Sequence, residues 1–458
     1  MAERWAAYLD ENQGRFEAEL LELLRIPSIS TDPAYAGEVR RGAEWTAHRL
    51  RLAGIEQVAV METGGHPVVY GEWLHAPGRP TILFYGHFDV QPVDPLELWT
   101  SPPFEPVIRE GKVYARGAAD MKGSLLLPVI ACEALLKTEG RLPVNVKFLF
   151  EAEEEIGSPS LEPFIAAHRD LLACDAAVNA DGGNGPADRP FAAIARRGLC
   201  ALQINVRSAR SDLHSGSGGA APNAIHALVR ILDSMRSPDG RVLVEGFYDE
   251  VRPLSEAERA EMAATATPLE ILKERLGIKE FYGEPGFTPW ERMVARPTLE
   301  VNGIWGGYQG EGTKTVIPCQ AHAKITCRLV ADQRPAVIRE RLIAHIHRHA
   351  PPAVEVSVES FPGDADPYMM DAGNFAQAAL SRALTTLCGR PPLQIRWSGT
   401  VPILGMLKAQ LGVDSVTLGC TTAGGNVHAP NEFVSLDEFR RMQPAFCLFL
   451  HEVGAITG

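Results

Sequence analysis

His87 and Asp89 are separated by a single residue just beyond an apolar run, Thr81 to Tyr85, and Asp120 follows in the segment Ala115-Arg116-Gly117-Ala118-Ala119-Asp120. Four more segments carry the same residue types: Glu151-Ala152-Glu153-Glu154-Glu155-Ile156-Gly157-Ser158, Asn179-Ala180-Asp181-Gly182-Gly183, Ser211-Asp212-Leu213-His214-Ser215-Gly216 and Gly424-Gly425-Asn426-Val427-His428-Ala429-Pro430. Imidazoles and carboxylates at loop positions are the donors that a hard-to-borderline divalent cation takes. Together they read as the pieces of a two-metal site.

Each piece alone has a plainer reading. An isolated His-x-Asp is usually a satisfied histidine in a turn, but side-chain alternation puts His87 and Asp89 on one side. Asp89 can then hydrogen-bond the ring nitrogen turned away from a metal and fix the tautomer. Asp120 precedes a helix start at Met121-Lys122-Gly123-Ser124, where orphan amides would stabilise any carboxylate. In a dinuclear site, though, one carboxylate must bridge, and a short Gly-flanked loop lets it reach both cations. Glu154 and Glu155 follow the strand Val144 to Phe150 in a crowd of acidic residues that could be a solvated turn. Neighbours at a strand end face opposite ways, so one can ligate while the other addresses a bound water, as a ligand beside a general base. Asp181 precedes two glycines and His428 follows two, which permits close backbone approach. Two divalent cations against Asp120, Glu155 and Asp181 leave a net positive site suited to hydroxide, and a zinc-bound water has a pKa of about 7. No G-x-S-x-G elbow and no H-E-x-x-H helix motif competes with this reading.

These segments need strands to hold them. Residues 15 to about 195 alternate helix and strand, which suggests an α/β layer structure whose site collects at the carboxyl ends of strands. From Cys200 to Glu359 the order becomes β-α-β-β-α-β once a charged helical insertion at about 254 to 295 is set aside, the pattern of a ferredoxin-like domain. The expected fold is therefore a catalytic α/β domain with a mixed sheet and an inserted ferredoxin-like lid or dimerisation domain. The expected boundaries are 1–196 and 366–458 for the catalytic domain and 197–365 for the insertion, with a final helix Leu436 to Glu452 packing on the catalytic core.

Composition narrows the partners. At 458 residues the chain exceeds one core. A net charge of −13 argues against nucleic acid as the main partner. The longest apolar stretch, Leu125 to Leu136, is broken by Pro128 and Glu133 and is too short to span a bilayer, so no membrane is expected. Eight dispersed cysteines without a C-x-x-C pair read as buried thiols, and the amino terminus looks like an amphipathic helix rather than a signal peptide; both point to the cytoplasm.

Taken in order, Gly86 to Pro92, Arg116-Gly117 to Gly123 and Glu154 to Ser158 resemble the co-catalytic dizinc metallopeptidases that include carnosine dipeptidases and cytosolic non-specific dipeptidases, with aminoacylases and succinyl-diaminopimelate desuccinylase as distant relatives. The resemblance implies that His87 and Asp181 hold one metal, Glu155 and His428 the other, and Asp120 bridges them. Zinc is the implied ion, with manganese and cobalt as alternatives. Glu154 would be the general base, taking a proton from the bridging water and passing it to the leaving amine, while Asp89 orients His87. His214 would reach across a homodimer interface to the partner's oxyanion. Thr315 would likewise come from the partner, Arg328 would contact the substrate carboxylate, and Thr400 is a further substrate-binding candidate. One departure stands out: the dipeptidases usually show Arg-Glu-Gly-Gly-Ser-Ile-Pro where this chain has Arg396-Trp397-Ser398-Gly399-Thr400-Val401-Pro402. The implied activity is amide hydrolysis of dipeptides or similar small molecules. The alternatives are an N-acyl- or N-carbamoyl-amino-acid amidohydrolase on the same scaffold, or a non-catalytic metal-binding or regulatory protein.

Overall fold

The computed structural model describes residues 4–361, 363–422 and 424–456; the chain's extreme ends, 1–3 and 457–458, lie outside them. It divides into two compact units, one of residues 4–194, 370–394 and 406–456 and one of residues 195–369 and 395–405.

In the first unit a six-stranded mixed sheet runs in the order Glu56–Met61, Val68–Trp73, Asn145–Glu151, Thr81–His87, Ala176–Asn179, Ser415–Thr417. The last four are mutually parallel and the first two pair antiparallel. Thr81–His87 is buried along nearly its whole length, and its continuous apolar run is what a parallel strand covered on both faces requires. Helix Gly123–Glu139 is apolar almost all round because helices Arg4–Leu24 and Leu436–Gly454 also pack against it. The carboxyl-terminal helix also packs on Phe375–Cys388, so it joins the core of this unit.

The second unit has a four-stranded antiparallel sheet in the order Thr298–Gly306, Gln320–Leu329, Gly198–Arg207, Glu355–Ser360. With helices Ala224–Ser234 and Pro335–His349 this is the ferredoxin-like β-α-β-β-α-β arrangement. Alternate residues of Gly198–Arg207 are buried: Leu202, Ile204 and Val206 meet Leu228, Ile231, Ile338 and Leu342 from the helices. The insertion forms three helices, two opened by reciprocal capping boxes, Ser255 with Glu258 and Thr288 with Glu291.

Candidate metal centre

The sheet order explains why distant residues meet. Strand Thr81–His87 has parallel neighbours on both sides, with His87 opposite Glu151 and Tyr85 opposite Asn179. The loops leaving those neighbours therefore emerge on either side of His87, one carrying Glu154 and Glu155 and the other Asp181. Edge strand Ser415–Thr417, parallel to Ala176–Asn179, feeds the loop that carries His428.

His87 is fully buried, and its Nε2 lies 3.1 Å from Asp120 Oδ1. His428 Nε2 lies 3.2 Å from Asp120 Oδ2 and 3.0 Å from Glu155 Oε2. Two triads result, His87–Asp120–Asp181 and Asp120–Glu155–His428, each offering three ligand atoms within 4.8 Å of one another. Asp120 belongs to both, one oxygen toward each imidazole. Gly117 begins its loop in the left-handed region at φ +82, where an added Cβ would also come within 2.6 Å of Val90 Cγ1.

The supporting shell is equally connected. His87 Nδ1 lies 3.2 Å from the Asp89 carbonyl oxygen, which can accept its hydrogen bond, and 3.3 Å from Asp89 Oδ1, so Nε2 is the nitrogen turned toward Asp120. Asp89 Oδ2 accepts from Ser30 Oγ at 2.6 Å and from the Glu155 amide at 3.1 Å. One buried carboxylate thus ties the histidine to the turn of the acidic pair. Gln91 Nε2 donates to Glu155 Oε2 at 2.9 Å. Glu154 and Glu155 do not diverge as neighbours at a strand end, the expectation raised by their place after Val144 to Phe150. The strand instead stops at Glu151, and the pair sits in a 3₁₀ turn, Glu154–Ile156, closed by left-handed Gly157. Turn geometry, not the pleat, separates the two side chains.

Charge crowding shows in the titration of these groups. Burial opposes a proton on His87, yet Asp120, Asp89 and Glu154 outweigh it and hold its pKa well above the usual imidazole range. Hydrogen bonds to Asp120 and Glu155 push His428 up to about 10. Burial, with Asp181, Asp120 and Glu155, holds the Glu154 carboxyl well above its ordinary range against the pull of His87. A site that retains protons this way carries an excess of negative charge that cations would offset. Its oxygen and nitrogen donors, split into two triads around a shared carboxylate, fit a pair of divalent ions.

The other expected residues lie in the second unit. His214 is exposed; its short strand pairs with Val316–Ile317, and the Ser215 amide donates to the Thr315 carbonyl at 3.0 Å. The Gly216 amide donates to His214 Nδ1 at 3.0 Å. Arg328, at the end of Gln320–Leu329, donates through Nη1 to Thr400 Oγ1. Ser30, Gln91, Arg116 and Glu432 were not among the expected site residues: each works through a partner far along the chain, and although Gln91 and Arg116 stand within segments that carry the family resemblance, nothing in their spacing names that partner.

The model of peptidase family M20/M25/M40 matches residues 83–452. The chain belongs to that family. This metallopeptidase is similar to the solved M20 family metallo-carboxypeptidase of Sulfolobus solfataricus, with a TM-score of 0.84 and 32% identity over 96% of this chain and 99% of that one. It is 28% identical over 477 residues to the human Beta-Ala-His dipeptidase, covering 100% of this chain and 93% of the relative. It is also 27% identical over 472 residues to the Cys-Gly metallodipeptidase of Schizosaccharomyces pombe, covering 98% of each. The α/β fold with a mixed sheet and an inserted ferredoxin-like domain agrees with the expectation from sequence. No helix among the described residues is long and apolar enough to cross a membrane.

Proposed function

We propose that this metallopeptidase hydrolyses dipeptides and similar small amides bearing a free carboxylate, using the two triads around Asp120 as ligands for two zinc ions. The carrying observation is the shared carboxylate, with one oxygen 3.1 Å from His87 Nε2 and the other 3.2 Å from His428 Nε2. The human and yeast relatives named above support the dipeptide class. Bound there, the cations would acidify a water and polarise the scissile carbonyl.

The chain's own groups do the rest. Asp89 holds the His87 ring in one tautomer. Glu154, outside both triads, is the general base: its carboxylate takes the proton of the attacking water and returns it to the departing amine nitrogen. Arg328, steadied by Thr400, suits the substrate carboxylate through its planar fork. His214 accepts the Gly216 amide at Nδ1, so its neutral form carries the proton on Nε2 as a donor for an oxyanion. His214 and Thr315 acting from a partner subunit make the functional form a homodimer, with the second unit as lid and dimerisation domain. Eight free cysteines support a cytoplasmic location.

A second reading is favoured by Trp397. It is 37% exposed, and the Arg196 guanidinium lies 5.4 Å from its ring centroid. An indole beside a cation is a poor holder for a free ammonium, so N-acylated or N-carbamoylated amino acids are the alternative substrates. Both readings are tested by one panel on zinc-loaded protein: free dipeptides, N-acetyl dipeptides and N-carbamoyl amino acids, with kcat/KM for each. Turnover of none of them overturns the reading, and a strong preference for free dipeptides removes the second.

A further inference from the structure

Glu432 is the least expected group near the centre. Its side chain is fully buried, and it lies four residues beyond His428 at the far end of the same loop. Oε1 accepts from the amides of Ala119 at 2.9 Å and Asp120 at 3.0 Å, while Oε2 accepts from the Gly117 amide at 3.0 Å and from Arg116 Nη1 at 2.7 Å. The carboxylate thus has a donor at each of its four acceptor positions. Arg116 is itself buried. Its Nη2 donates to the Pro92 carbonyl at 2.8 Å, its Nη1 also reaches the Ala429 carbonyl at 3.5 Å, and Trp99 lies under its guanidinium at 5.3 Å. One buried ion pair therefore grips three loops: the loop that ends on Asp120, the stretch just after His87 and Asp89, and the residue next to His428.

We propose that Glu432, with Arg116, is a positioning residue that sets the shared Asp120 between the two imidazoles and so fixes the separation of the two cation positions; this rests on the reading of Asp120 as a shared ligand. Two features separate this role from ordinary core pairing. Glu432 spends three of its four acceptor positions on backbone amides of a single loop, including the amide of Asp120 itself. Those amides have the irregular turn Ala118–Lys122 around them, with extended backbone at Asp120 (φ −128), so a regular helix does not hold them. Among the described residues the amides of Gly117, Ala119 and Asp120 have the Glu432 carboxylate as their acceptor, so without it this stretch of the loop loses three of its anchors and Asp120 is freer to favour one imidazole over the other. Carboxylates that orient a ligand from behind commonly govern metal affinity by about 10- to 100-fold.

Glu432→Gln is the direct test. Whichever way the amide is turned, its NH₂ faces donors, either the Ala119 and Asp120 amides or the Gly117 amide and Arg116. Arg116→Lys is the milder companion, because it keeps the charge but cannot reach Glu432 and Pro92 together. Zinc stoichiometry and affinity are measured by chelator competition on the parent and both variants, with melting temperature, kcat and KM alongside. The parent is measured first: if it does not bind two zinc ions per chain, the metal-site reading fails and not the positioning role. If the parent binds two, both folded variants are expected to lose about tenfold or more in zinc affinity. At saturating zinc their kcat should fall while KM stays near the parent value. A merely structural pair would lower the melting temperature and leave zinc affinity and kcat untouched, which overturns the proposal. Failure of both variants to fold makes the pair a core element and overturns it equally.

Discussion

Glu154→Gln isolates the proton-transfer role from every other task at the centre. The side chain keeps its shape and half-buried position, and Glu154 belongs to neither triad, so the donors for both cations are untouched. What is lost is the only atom of the proposed mechanism that can hold the water's proton. General-base contributions of about 100- to 10,000-fold correspond to about 3–5 kcal/mol of barrier. The assay is kcat and KM on a dipeptide at saturating zinc, with bound zinc counted per chain. KM and stoichiometry should stay at parental values, and the metal-free variant should melt no lower than the metal-free parent, since a neutral amide replaces a carboxyl that its surroundings discourage from ionising. A kcat within about tenfold of the parent, with two zinc ions bound, would refute Glu154 as the base.

Other expectations follow from the same geometry. Asp120→Asn should lower zinc stoichiometry below two per chain, read by equilibrium dialysis, because both triads lose their common carboxylate. Arg328→Met should raise KM for dipeptides by about 10- to 100-fold, the worth of a charged hydrogen bond of about 1.5–3 kcal/mol, and should leave carboxyl-amidated analogues unaffected. Away from the centre, Glu133 lies buried against Arg49 (2.6 Å) and accepts from Tyr8 at 2.7 Å, with Arg15 beside it. Burial alone would raise its pKa, but Arg49, Arg15 and Tyr8 outweigh that and set it below the usual value. A carboxyl with a depressed folded pKa contributes stability that is present above the ordinary Glu range and is lost as pH falls through the folded value. Glu133→Gln should therefore cost about 3 kcal/mol near pH 7 and progressively less in acid below about pH 4, measured by denaturant titration; a pH-independent difference would contradict the ion-pair account.

Much of the centre was legible along the chain because its pieces are local. His87 and Asp89 stand two apart after an apolar strand, Glu154 and Glu155 follow another, and Asp181 a third. A strand's run and the loop that ends it are short-range features, so residue types at those positions already announce ligand chemistry. The β-α-β-β-α-β order of the second unit was readable for the same reason, since period-two and helical patterns repeat within each element.

Pairings over long separations were decided only by the fold. Asp120 meets His428 because parallel strands and the packed helix Gly123–Glu139 bring the two loops together, and no spacing in the sequence encodes that approach. Glu432 looks like one acidic residue among many until its partners, 312 to 316 positions earlier, are in place. Composition and periodicity specify which face of an element is apolar; which loop then meets which is settled by sheet order and core packing. A buried carboxylate acquires its function only from the donors that packing delivers to it.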